Sequence, residues 1–155
     1  MKVSQVMTKE VGVANADDTI QEAAKKMAGL DAGVLPIAEN DRLVGMVTDR
    51  DIVVKGIAGN KQLDAKVRDI MTPEVRYCFS DQEIGDVMRN MGEWQVRRLP
   101  VMSRDKKLVG ILSLGDVAVS QDKGKTVDAL QGISRPGGAH SRAPGGGDRT
   151  NDPSL

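Results

Sequence analysis

The chain has 155 residues, in which 22 Lys plus Arg balance 22 Asp plus Glu, so no general affinity for nucleic acid or an acidic membrane surface is expected. Its aromatic residues are only Tyr77, Phe79 and Trp94, too few for a platform on which single strands could stack. The core must then be aliphatic, built from Val, Leu, Ile and Met.

In chain order, residues 11–14 read as a short strand. Ile20, Ala23, Ala24 and Met27 follow at the i, i+3, i+4, i+7 spacing of a one-sided helix. Asp17 and Asp18 stand where helix starts favour acidic residues. Residues 34–38 and 43–47 read as two strands joined through Glu39-Asn40-Asp41, a polar run of the kind that turns a hairpin. A second helix is expected near 49–57.

The same series then returns. Residues 75–78 form the next strand, Ile84, Val87, Met88 and Met91 the next one-sided helix, and 99–102 and 108–112 the next hairpin strands, with a closing helix near 114–120. The return is a true internal repeat. Shifted by 64 residues, Val3, Met7, Thr8, Glu10, Val11, Asp17, Ile20, Met27, Leu35 and Pro36 fall on identical residues. Shifted by 65, so do Leu43, Val44, Gly45, Asp51 and Val54. Each repeat is strand, helix, strand, strand, helix. From about residue 134 the Gly- and Pro-rich sequence has too few apolar side chains to build a core.

The recurring pieces are Val-x-x-[Val/Ile]-Met-Thr at each start, Leu-Pro-[Ile/Val] before the hairpin, and Leu-Val-Gly-x-x-[Thr/Ser]-x-x-Asp after it. Together, and duplicated over roughly residues 1 to 120, they resemble the CBS (cystathionine-β-synthase) domain family, most of all its stand-alone bacterial pairs. The resemblance implies an α/β (α+β) protein of two β-α-β-β-α repeats, packed sheet to sheet as a pseudo-twofold module. The expected divisions are 1–60, 61–123 and a flexible tail at 124–155. It also implies clefts for adenosine-containing ligands such as AMP, ATP or NAD, regulation of an effector protein, and a homodimer made through the helices. Ala23, Ala24, Ala28, Gly85 and Gly92 would permit the close helix approach of such a dimer.

By that resemblance the ligand-binding residues are Thr48, Arg50 and Asp51 with Val34 and Leu35 in the first repeat. In the second they are Arg97, Arg98, Leu99, Ser113 and Asp116. A carboxylate can accept from both ribose hydroxyls, and a hydroxyl with the adjoining amides can meet a phosphate. The spacing allows another reading. Thr-x-x-Asp and Ser-x-x-Asp before an apolar helix also form a capping box, which serves only to satisfy the first helical N–H groups. The spacing alone favours capping and the family context favours ribose. Arg97 and Arg98 read equally well as exposed strand residues.

Cys78 is the only cysteine, so an internal disulfide and a multi-cysteine metal site are excluded, and its apolar neighbours suggest a buried hydrophobe. His140 lies in the tail, where a catalytic base would lack rigid support. No nucleophile–base pair, metal cluster or phosphate loop stands out, so the chain is expected to be neither an enzyme nor dependent on an obligatory cofactor. No apolar run reaches membrane-spanning length and no signal core opens the chain, so a cytoplasmic protein is expected. The alternative function is a structural or interaction module whose clefts stay empty.

Overall fold

A computed structural model describes residues 1–40, 42–120 and 123–135. Its elements are β1 (Ala14–Asn15), α1 (Ile20–Leu30), β2 (Val34–Glu39), β3 (Arg42–Thr48) and α2 (Asp49–Asp51). The helix begun by α2 continues with wider π-type turns over Ile52–Ile57, where the Ala58 N–H donates to the Val53 carbonyl (2.9 Å). The second series is β4 (Cys78–Phe79), α3 (Ile84–Trp94), β5 (Arg98–Met102), β6 (Leu108–Ser113) and α4 (Leu114–Ala118), followed by α5 (Lys123–Ile133). The repeat of strand, helix, strand, strand, helix is therefore present twice, as an α+β fold.

Each repeat carries a three-stranded sheet, in the orders β1-β2-β3 and β4-β5-β6. β1 runs parallel to β2 and β3 antiparallel to it. The pairing of β1 begins at Ile37, so Pro36, which has no N–H to give, lies just outside that ladder. The outer strands are shorter and begin later than the apolar runs at 11–14 and 75–78 suggested.

The amphipathic helices sit as their spacing requires. Ile20, Ala23 and Met27 of α1 are buried, as are Ile84, Val87, Met88 and Met91 of α3. The cap of α1 is Thr19, not an aspartate: its Oγ1 accepts from the Glu22 N–H (3.1 Å) while Glu22 Oε2 accepts from the Thr19 N–H (2.8 Å). Asp18 instead accepts from the Asn15 N–H and the Lys26 ammonium, each at 3.0 Å. These contacts, the Asn15 amide foremost, hold its carboxyl below the usual carboxylate range.

The compact units do not coincide with the sequence divisions at 60 and 123. One unit joins Met1–Thr8 to Cys78–Val101 and the described residues from Gly110 on; the other comprises Lys9–Tyr77 with Met102–Val109. The Val-x-x-[Val/Ile]-Met-Thr motif explains the difference. Val3 and Val67 each open a single 3-10 turn and are 0% exposed. Thr8 then exchanges two main-chain hydrogen bonds with Ile111 of β6 (2.9 Å each). Thr72 does the same with Met46 of β3 (2.8 and 3.0 Å). The motif that opens the first repeat thus completes the edge of the second sheet, and its copy completes the first.

Residues 123–133, mostly assigned to the tail from sequence, form α5. Ala129 and Ile133 are buried, and a Cβ on Gly132 would come within 2.8 Å of the Gly92 carbonyl oxygen. The Gln95 side-chain amide donates to the carbonyls of Gly132 (3.1 Å) and Arg135 (3.3 Å), tying the end of α5 to the end of α3. Gly92 is therefore covered by the chain itself, and Ala23 is core. Residues 136–155, including His140, lie outside the described residues.

The close approach of each motif rests on one glycine per repeat. A Cβ on Gly45 would lie 2.9 Å from the Thr72 carbonyl oxygen, and one on Gly110 would lie 2.8 Å from that of Thr8. Gly45→Ala and Gly110→Ala should each destabilise by about 1–3 kcal/mol through overpacking, read from denaturant unfolding; wild-type midpoints would show that the motif segments yield without cost. Cys78 is buried, and burial pushes its thiol from 9.0 up to about 12. The folded-state value being the higher, stability linked to this thiol is complete below pH 9.0 and is lost as pH rises toward about 12. A thiol reagent at near-neutral pH should therefore leave native Cys78 unlabelled and label it fully in denaturant.

Candidate functional site

In each repeat the hairpin's second strand ends on a hydroxyl residue and turns at once into a helix. At the end of β3, the Thr48 N–H donates to Asp51 Oδ2 (2.9 Å) and the Asp51 N–H donates to Thr48 Oγ1 (3.0 Å). At the end of β6, the Ser113 N–H donates to Asp116 Oδ2 (2.8 Å) and the Asp116 N–H donates to Ser113 Oγ (3.0 Å). Both are reciprocal capping boxes. The capping reading of the spacing is therefore realised in full.

Capping does not exhaust the carboxylates. It uses Oδ2 of each, and a carboxylate has about four acceptor positions. Asp51 Oδ1 lies 3.4 Å from the Lys55 ammonium, and its side chain is 16% exposed. Asp116 Oδ1 has no hydrogen-bond partner among the described residues. Each repeat thus holds a fixed acceptor that stays within reach of solvent.

The start of the preceding strand is pinned to the same corner. The Asp49 N–H donates to the Gly33 carbonyl (3.0 Å), and the Leu114 N–H donates to the Arg97 carbonyl (2.9 Å). Val34 is the register partner of Thr48. The structure therefore gathers Val34, Thr48, Arg50 and Asp51 at one corner, and Arg97, Arg98, Ser113 and Asp116 at its repeat. Arg50, Arg97 and Arg98 are all exposed. Leu35 and Leu99 are 1% exposed; their side chains are core, so any part they take is through the main chain.

Sequence reasoning passed over Asp49 and Lys55. Asp49 Oδ1 accepts from the Arg50 N–H (2.8 Å), and Asp49, Arg50, Val53 and Val54 line a shallow open groove of about 350 Å³. The signal was available: Asp49 and Leu114 occupy one repeat position and differ in charge. Among the described residues no three His, Cys, Asp or Glu side chains group to hold a metal ion, and no helix is long and apolar enough to cross a membrane.

Thr48→Ala and Ser113→Ala each remove one half of a capping box. A loss of about 1 kcal/mol is expected for each in denaturant unfolding; no loss in either would mean that the hydroxyl does not hold the helix start.

Comparison with known proteins places this geometry. The CBS domain family matches residues 3–56 and again 67–121. The uncharacterized protein YlbB of Bacillus subtilis is 37% identical over 136 residues, covering 86% of this chain and 91% of that one. Hypoxic response protein 1 of Mycobacterium tuberculosis is 35% identical over 133 residues, covering 84% and 92%. The crystal structure of Hypoxic Response Protein I with two coordinated zinc ions superposes with a TM-score of 0.69 at 36% identity, over 76% of this chain and 97% of that one. The CBS domain pair of protein MJ0100, solved in complex with 5′-methylthioadenosine and S-adenosyl-L-methionine, gives a TM-score of 0.69 at 27% identity, over 76% and 93%. With both repeats matched and relatives of this kind aligned along nearly their whole length, the chain belongs to the CBS domain family as a tandem domain pair.

Proposed function

We propose that this chain is a regulatory module, not an enzyme, that binds an adenosine-containing ligand at its two strand-to-helix corners and passes the bound state to a partner protein in the cytoplasm. One observation carries the reading: the same acceptor is built twice, with Oδ2 of Asp51 and of Asp116 fixed by its box and Oδ1 turned elsewhere. A rigid carboxylate with spare acceptor positions suits a ribose diol, because both hydroxyls can donate to it. Exposed guanidinium groups on Arg50, Arg97 and Arg98 can meet a phosphate. The MJ0100 pair, bound to two adenosine compounds, supports the same ligand class.

The boxes also favour a second reading, a structural or interaction module in which the carboxylates do nothing but cap. Ligand titration separates the two. A charge-assisted hydrogen bond contributes about 1.5–3 kcal/mol, and each 1.4 kcal/mol is about tenfold in affinity. Asp51→Ala and Asp116→Ala should each weaken adenosine at its own repeat by about tenfold or more, in calorimetric titration of protein shown to be folded. Variants that bind as the parent does would leave the capping reading standing. The module is further proposed to be a homodimer at micromolar concentration, which light scattering on a sizing column measures; a monomer mass throughout would remove the dimer.

A further inference from the structure

We infer that Asp49 and Leu114, which stand at the same position of the two repeats, decide which repeat admits a phosphate: the second accepts a nucleotide and the first an uncharged nucleoside. This rests on the adenosine reading above and concerns selectivity between its two corners.

The corners share one main-chain plan. Residues 49 and 114 donate to the carbonyls of residues 33 and 97 at 3.0 and 2.9 Å, and the boxes beside them agree to about a tenth of an ångström. What differs is the side chains carried on that plan. Asp49 folds its carboxylate back over the helix start, where Oδ1 takes the Arg50 amide and Oδ2 lies 2.9 Å from the place a Cβ on Gly33 would occupy. A side chain at position 33 would meet this carboxylate and displace it. The second repeat puts Arg97 at the matching position and Leu114 in place of the acid, so its helix start has only the capping carboxylate of Asp116.

The charges follow. In the first corner Asp49 and Asp51 offset Arg50 and Lys55, and Lys55 is already drawn to Asp51 at 3.4 Å. The second corner carries Asp116 with the exposed Arg97 and Arg98, which leaves an excess of positive charge. A phosphate entering the first corner meets a carboxylate that occupies the Arg50 amide; in the second no acid stands at that position, and the exposed Arg97 and Arg98 open the adjoining strand. Opposite charges a few ångströms apart attract strongly enough at a protein surface to decide the preference.

The test is calorimetric titration of adenosine and of AMP into the unaltered chain, Asp49→Asn and Leu114→Asp, each also carrying Asp51→Ala or Asp116→Ala to silence one repeat. Asp49→Asn keeps the side chain's shape and its acceptor for the Arg50 amide but removes the charge. It should raise the AMP-to-adenosine affinity ratio of the first repeat by about tenfold, and added salt should shrink the difference. Leu114→Asp should lower that ratio in the second repeat by a similar factor. Should Leu114→Asp fail to fold, Asp49→Asn decides the matter, since Asp49 is exposed. Adenosine binding with ratios unchanged by the substitutions would overturn the inference and leave the adenosine reading standing. An unaltered chain that binds neither compound would remove that reading and the inference together.

Discussion

The reciprocal hydrogen bonding between a strand's last hydroxyl residue and the carboxylate three positions on is the constraint around which each repeat is built. It fixes where β3 and β6 stop and where the next helix begins, and it determines which carboxylate oxygen remains for other partners. The preceding strand is held to the same point by the amide of residue 49 or 114. A helix as short as α4 has little stability of its own. Its direction is set by this corner and by Val117, which is buried.

Under the proposed function, cap and ligand acceptor would be one chemical group in two roles. A ligand that binds the folded chain and not the unfolded one stabilises it in proportion to the logarithm of its concentration. Here that stabilisation would act on the junctions that hold strand to helix. The first junction leads into the π-type stretch Ile52–Ile57, where wider turns replace α-helical spacing, whereas the second leads into ordinary α-helix. The repeats are alike in plan but differ in how the signal of occupancy would travel onward.

Much of this was legible in the sequence because the periodicities are strong and printed twice. Ile84, Val87, Met88 and Met91 announce a buried helical face, and the structure buries all four. The Thr-x-x-Asp spacing correctly offered a capping box but could not say whether an oxygen would remain, since that depends on where Lys55 reaches. The compact units cut across the repeats because a repeat is counted along the chain, while the partners of Thr8 and Thr72 are set by sheet edges. Helix α5 escaped because its glycines read as tail. Gly132 is in fact a contact point, needed for the approach to Gly92.

The pairing of Thr8 with Ile111 has a consequence for how the protein is made. Thr8 is made well before the strand that holds it. The copy at Thr72 meets Met46, already synthesised, so that edge pairing can close early. The other must wait with Val3 and Met7 unsheltered. Long-range pairings of this kind slow folding and leave apolar surface open to aggregation meanwhile. Vectorial synthesis thus imposes an order of assembly on two halves that the finished fold treats as equals.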